Sequence, residues 1–301
     1  KTCSRGVLLY RSADSSGRYP YRRVVQELIA PRLFQCAAAA EQGLSDLLEN
    51  KMSDSCKACI DAGSIVYDTK EPAKGVESKV GELDLYTVGE GSTAIIVAYD
   101  IFGFQVTNTR NNCDVLAAAG YTVCMPDFFR GDSANNFKEF TMEAVQNLIK
   151  TKGNYPLVKN DLEQTVLPHL KARGCDKFLW VGFCWGGLIA LELAADAKDL
   201  GFVGVGGIHA ALKESDEITS KKAAATTVPL MFIQAGNDSD VKPLMTAFDA
   251  HPLKDKHMVR VFHDMAHGWC AARGDRSIPR IMAAVKSTLT ITLDFFAEAL
   301  R

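Results

Sequence analysis

Cys184 stands at the turn of the stretch "LWVGFCWGGLIALELAA", between a segment typical of a buried strand and one typical of a helix. Gly182 and Gly186 flank it at two residues on either side, a spacing that lets strand and helix approach closely around a strained residue. The N-terminal end of the following helix favours a thiolate. We predict that Cys184 is a nucleophile and that the amide of Trp185 faces a developing oxyanion. An inert buried thiol is the alternative.

Two further residues follow in the order that a catalytic triad requires. Asp238 lies just past an apolar strand, 54 residues after Cys184, and His267 lies just past the next strand, 29 residues further on. Because parallel strands end at one edge of their sheet, the three side chains are expected to meet there as nucleophile, acid and base. Asp240 stands two residues from Asp238 and is a second candidate for the acid, with capping of the turn as its other role.

The elements that must position these residues alternate along the chain from about residue 78. Continuous apolar runs such as "TAIIVAYD" and "KFLWVGFC" predict buried parallel strands, and amphipathic segments between them predict helices, two of which end at Gly120 and Gly174. "GELDLYTV" alternates apolar and polar residues and predicts an early antiparallel strand. The predicted fold is α/β, a mostly parallel sheet with helices on both faces.

Residues 1–51 differ from the rest. Residues 1–33 hold seven Lys and Arg against two Asp and Glu, which predicts either an organellar targeting segment or a disordered leader before a natural start at Met52. We therefore divide the chain into an extension, residues 1–51, and one domain, residues 52–301. The spacing of Cys56 and Cys59 resembles a redox or metal motif, although a single pair without a β-α-β context is weak evidence.

The overall composition excludes several classes of partner. The chain has 301 residues, is 47% hydrophobic, and balances 34 basic against 36 acidic side chains. This balance of charge does not indicate a nucleic-acid partner. No apolar run reaches the roughly 20 residues that a membrane-spanning helix needs. The nine cysteines form no disulfide pattern, which indicates a reducing compartment. We expect a cytoplasmic protein, or a mitochondrial or plastid one if residues 1–51 are a targeting segment.

The chain resembles a known family. The segments "GFCWGG", "YDIFGF", "PDFF", "AGND" and "AHGW" together are similar to the dienelactone hydrolases and to their carboxymethylenebutenolidase homologues, over residues 53–300. The resemblance implies a single-domain α/β-hydrolase fold, a small ester or lactone as substrate, no metal or other cofactor, and a monomer.

The resemblance also assigns roles to residues. It places the triad on Cys184, Asp238 and His267, and the second oxyanion amide on Ile101. The family has a glutamate just before that amide, which gates the thiol. Here the position is Asp100, one methylene shorter, and a helix cap is its alternative role.

Family arginines that hold a substrate carboxylate fall near Arg130 and Arg273, each of which could instead lie on the surface. Trp185 and Trp269 are candidates for the pocket wall, with core packing as the alternative for Trp269. Residues 129–144 could form a lid.

The reaction implied is acyl transfer through a thioester, with the thiolate attacking a lactone or activated ester. Amides suit a thiol nucleophile poorly, because the tetrahedral adduct expels the thiolate again. Two other hypotheses remain: hydrolysis of other esters, including thioesters and glycan-linked esters, and a hydrolase-fold binding protein without activity.

Overall fold

The computed structural model describes residues 63, 65–69, 71–212 and 215–301. The predicted extension at residues 1–51, the start at Met52 and the Cys56–Cys59 pair lie outside the described residues.

Within the described residues, eight strands form one sheet. They are β1 Val76–Val80, β2 Leu83–Val88, β3 Thr93–Ala98, β4 Thr122–Pro126, β5 Lys177–Phe183, β6 Phe202–Ile208, β7 Leu230–Ala235 and β8 Met258–Phe262. Their spatial order is β1-β2-β4-β3-β5-β6-β7-β8. β2 pairs antiparallel with β1 and β4, and every other pair is parallel. The predicted mostly parallel sheet and its early antiparallel strand are confirmed.

Helices fill most of the connections between strands. They are α1 Thr107–Ala118, α2 Met142–Thr151, α3 Tyr155–Asp161, α4 Leu167–Ala172, α5 Trp185–Leu193, α6 Asp216–Ala224, α7 Lys242–Ala250 and α8 Pro279–Ala299. A π-helical turn, Leu162–Val166, joins α3 to α4. As predicted, α1 and α4 end just before Gly120 and Gly174, which take the positive φ of a helix C-terminus.

The helices cover both faces of the sheet. A Cβ placed on Gly204 of β6 would contact Ala299 of α8, whereas one on Gly207 would contact Gly187 of α5. These two positions are three residues apart on one strand and so face opposite sides. The continuous apolar strands therefore have both faces buried, as their sequences predict. Among the described helices, none combines the length and apolar character that crossing a membrane requires.

Candidate active site

The turn from β5 into α5 holds Cys184 in a strained conformation. Its φ is 52° and ψ is −104°, and its side chain is buried. A Cβ on Gly182 would lie 1.9 Å from the carbonyl oxygen of Gly186, and one on Gly186 would lie 2.3 Å from the carbonyl oxygen of Ala98. Only glycine fits at either position, because the helix starts directly against the sheet. The sequence prediction of a tight turn around a strained cysteine is confirmed.

The segment after β6 holds this turn in place. The amide of Cys184 donates to the carbonyl of Ile208 at 3.0 Å, and the amide of Ala211 donates to the carbonyl of Cys184 at 3.0 Å. The strained residue is therefore fixed at both its amide and its carbonyl by the same neighbouring turn.

The predicted acid and the predicted base lie in contact, as their order in the sequence leads us to expect. His267 Nδ1 lies 2.5 Å from Oδ1 of Asp238, and both side chains are fully buried. The other oxygen, Oδ2, accepts from the amide of Ala235 at 2.6 Å. Asp240 is instead exposed, where it accepts from the amide of Lys242 and forms an ion pair with that side chain. The geometry thus places Asp238, and not Asp240, against His267.

A narrow crevice at the carboxyl edge of the sheet brings the predicted residues together. It is lined by Asp100, Ile101, Phe102, Cys184, His267, Gly268 and Arg273. The nucleophile, the base, the gating carboxylate, one oxyanion residue and one arginine of the prediction therefore face one space. The other oxyanion residue, Trp185, is the first residue of α5, next to the thiol.

Asp100 is buried and connects two loops of the site. Its Oδ1 accepts from the amide of Phe102 at 2.9 Å, and its Oδ2 accepts from the amide of Ala272 at 3.0 Å. Each carboxylate oxygen thus binds a backbone amide, one after β3 and one after His267. The alternative role as a helix cap is wrong for α1, whose N-cap is Val106.

Arg273 lies under an aromatic cover. Its guanidinium carbon is 5.2 Å from the ring centroid of Phe102 and 5.9 Å from that of Phe140, and these two rings are parallel at 6.0 Å. Its Nη2 donates to the carbonyl of Gly63 at 2.5 Å. Part of the predicted lid segment, residues 129–144, therefore covers the arginine side of the crevice.

Arg130 and the two tryptophans do not line this crevice. Arg130 Nη2 lies 2.7 Å from Oδ1 of Asp161, the last residue of α3, so the two side chains form an ion pair. The indole of Trp185 donates to the carbonyl of Gly153 at 2.8 Å and packs in the core, which leaves only its backbone at the site.

Trp269 lies behind the base, its ring centroid 5.1 Å from that of His209 and 5.6 Å from that of Phe262. It is buried, as its alternative role in core packing requires.

Sequence reasoning missed a clamp of polar side chains on α1. Asn112 donates to the carbonyl of Cys270 at 2.7 Å, and Arg276 donates to the side chain of Asn112 at 2.6 Å. Asn108 donates to the carbonyls of Ala271 and Gly274. The loop that carries the base is thereby tied to a helix. The available signal was two asparagines four residues apart within a helical segment, which places them on one face.

His209 was also missed, since the sequence offers no motif around it. It follows β6 directly, is fully buried, and packs on His267 with ring centroids 5.2 Å apart. Among the described residues, no group of three or more His, Cys, Asp and Glu side chains is placed to hold a metal ion.

Comparison with known proteins agrees with this geometry. The sequence model of the Dienelactone hydrolase family matches residues 85–300. The chain belongs to the dienelactone hydrolase family. The carboxymethylenebutenolidase homolog of Rattus norvegicus is 28% identical over 207 residues, which cover 65% of this chain and 79% of that protein. An endo-1,3;1,4-beta-D-glucanase of Zea mays is 27% identical over 240 residues, 77% of this chain and 69% of that protein.

A crystal structure assigned as a dienelactone hydrolase from Klebsiella pneumoniae has a TM-score of 0.60 and 20% identity, and the match covers 75% of this chain and 99% of that one. At this identity the structural likeness shows the fold alone, a single-domain α/β-hydrolase. Family membership identifies the protein as a hydrolase that acts on ester bonds.

Proposed function

We propose that the protein hydrolyses lactones or activated esters with Cys184 as nucleophile, His267 as base and Asp238 as its orienting acid. One observation supports this most strongly: the strained cysteine and a histidine bound through Nδ1 to a buried carboxylate line the same crevice. The carboxylate accepts a hydrogen bond from Nδ1–H, so Nε2 is the basic nitrogen of the ring.

The reaction begins when Nε2 of His267 takes the thiol proton of Cys184. The thiolate attacks the carbonyl carbon, and the amides of Trp185 and Ile101 stabilise the oxyanion, an effect worth about 3 kcal/mol for each donor. Collapse expels an enolate or alkoxide, which takes the proton from His267, and leaves a thioester on Cys184. A water molecule activated by His267 then releases the acid and restores the thiol.

The crevice favours a substrate that carries a carboxylate. Arg273 on its wall offers a cation that such a group can bind. A thiol nucleophile works best when the leaving group is better than the thiolate, which favours enol-lactones and aryl esters. Asp100 holds two backbone amides, and we propose that it gates the thiol by releasing them when a substrate binds.

The likeness to a glucanase does not change this proposal. Glycosidases commonly use two carboxyl groups that flank the scissile bond. Among the described residues that line the crevice, only Asp100 carries a carboxylate, because Asp238 is turned toward His267. Ester hydrolysis on a glycan-linked substrate remains compatible with the triad, and glycosidic hydrolysis is disfavoured.

The test is hydrolysis of a dienelactone and of p-nitrophenyl acetate by wild type, Cys184→Ala and the matched control Cys175→Ala, a buried free thiol away from the crevice. We expect turnover to be lost only in Cys184→Ala, and iodoacetamide to label Cys184 selectively, as read by mass spectrometry. Full activity of Cys184→Ala would refute the mechanism. A folded wild type that turns over neither ester would favour the binding-protein hypothesis.

We propose a monomer in a reducing compartment such as the cytoplasm. The described cysteines are buried and form no disulfide with one another, which suits that environment. Light scattering of the purified protein tests the first point, and fractionation of cells that produce the native protein tests the second.

A further inference from the structure

His209 packs on the ring of His267 and lies in the turn that binds the backbone of Cys184. It is the residue after β6, in the same turn whose Ile208 and Ala211 bind the backbone of Cys184. Its ring centroid lies 5.8 Å from that of Phe183, the residue before the nucleophile, and 5.2 Å from that of His267. The two imidazole planes meet at 66°, an edge-to-face contact. One side chain thus connects the turn that holds the thiol to the ring that deprotonates it.

Hydrogen bonding does not explain why this residue is a histidine. Its φ is 37°, a conformation that glycine adopts with less strain. Both ring nitrogens are buried and have no hydrogen-bond partner among the described residues. Buried polar atoms without partners destabilise a fold and are uncommon in native proteins. Of the described rings that it contacts, those of Phe183, Trp269 and His267, only that of His267 gains a charge in the proposed reaction, and this contact accounts best for an imidazole.

The ring is neutral at physiological pH. Burial, and after it the nearby His267, lower the pKa of His209 well below its usual range. A neutral imidazole has a strong dipole and one lone pair. Because no described residue forms a hydrogen bond with either nitrogen, the tautomer can place the lone pair on the side of a positive charge formed at His267.

We propose that His209 is a positioning residue for the Cys184–His267 pair: its ring fixes the plane of His267, and its dipole stabilises the imidazolium that forms with the thiolate. This inference rests on the proposed cysteine mechanism. Stabilising the imidazolium increases the fraction of Cys184 present as thiolate near neutral pH, since the two charges form together.

Other ionisable groups also face the base, and the test must separate His209 from them. Asp238 binds Nδ1 of His267. Asp100 and Arg273, of opposite formal charge, line the same crevice as His267 and Cys184. A substitution at His209 changes none of these residues, so an effect on the thiolate can be assigned to the imidazole.

The experiment uses His209→Phe, which keeps an aromatic ring without nitrogens, and His209→Asn, which suits the positive φ and lacks the ring. His257→Phe is the matched control, because His257 is partly buried and its ring packs on that of Phe248, away from the crevice. Iodoacetamide alkylation of Cys184 is timed near pH 6.5 and near pH 10, and kcat and KM are measured on p-nitrophenyl acetate.

Alkylation of Cys184 in both His209 variants should slow about tenfold near pH 6.5 and stay within about twofold near pH 10, which lies above the usual pKa of a cysteine thiol, about 8.5. We expect kcat to fall about tenfold while KM changes less than about threefold. Equal slowing at both pH values, unchanged rates, or the same pattern in His257→Phe would overturn the proposal. If His209→Phe fails to fold, as judged by thermal unfolding, His209→Asn decides alone.

The alkylation readout does not depend on turnover. If alkylation of Cys184 leaves turnover intact in the wild type, the proposed function fails. If it abolishes turnover but the His209 variants alkylate like wild type, only the present inference fails.

Discussion

Replacing Asp238 by asparagine tests the triad with the smallest change in shape. Oδ1 of Asp238 faces His267 Nδ1 at 2.5 Å, and Oδ2 accepts from the amide of Ala235 at 2.6 Å. An asparagine must keep its oxygen toward Ala235, because its NH₂ group there would oppose another donor. The NH₂ group then faces Nδ1, which must act as an acceptor, and the ring proton moves to Nε2. His267 in that tautomer cannot take the thiol proton.

The expected loss follows from the tautomer rather than from stability. In a serine protease triad, the corresponding substitution keeps the geometry and lowers kcat by about 10⁴, or about 5.5 kcal/mol in the barrier. We expect Asp238→Asn to lower kcat on p-nitrophenyl acetate by about 10³ to 10⁴, with little change in KM. The same pair is fully buried here, so solvent does not replace the lost contact.

Asp240→Asn is the matched control, because Asp240 is two residues away, exposed and paired with Lys242. Its kcat should stay within about twofold of wild type, because an exposed ion pair contributes little free energy. Steady-state kinetics of the three proteins, with circular dichroism to verify folding, completes the assay. Activity of Asp238→Asn within tenfold of wild type, or an equal loss in Asp240→Asn, would refute the assignment of the acid.

Two further predictions concern stability and access. The amide of Leu230 donates to His257 Nδ1, and burial, followed by His251, lowers the pKa of His257 to about 4. The folded state therefore favours the neutral ring of His257. The stabilisation that this ring contributes is fully present above the unfolded pKa of about 6.5 and is lost as the pH falls toward 4. In urea unfolding between pH 7.5 and pH 5, wild type should lose about 1 kcal/mol more of its free energy of unfolding than His257→Phe, after allowance for solvent screening. Phe140→Ala removes a ring beside Arg273. We expect the ratio of kcat/KM for p-nitrophenyl butyrate to kcat/KM for p-nitrophenyl acetate to rise about threefold, because the aromatic cover opens. An unchanged ratio would show that the acyl group binds elsewhere.

The sequence predicts the fold and the triad because both depend on local signals. Apolar runs locate the strands, and the turn around Cys184 is marked by glycines whose Cβ atoms would collide with backbone. The order of Asp238 and His267 then follows from which strand each residue succeeds.

Residues whose roles depend on distant partners could not be predicted. Arg130 forms an ion pair with Asp161, 31 residues away in the sequence. Asp161 lies next to a π-helical turn, which no pattern in the sequence predicts. Asn112 binds a carbonyl 158 residues away. Such contacts are set by how α1 and the histidine loop pack, and the amino-acid pattern of either segment alone does not contain that information.

The distribution of backbone strain connects these findings. Among the described residues, three that are not glycine have a positive φ: Arg130, Cys184 and His209. They come after β4, β5 and β6, three parallel strands, at the carboxyl edge of the sheet. Strain of this kind costs of order 1–3 kcal/mol per residue and persists only where surrounding contacts fix it. For Cys184 those contacts come from the turn of His209, because Ile208 accepts a hydrogen bond from its amide and Ala211 donates one to its carbonyl. The strained backbone of Cys184 is therefore held by hydrogen bonds to the segment after β6.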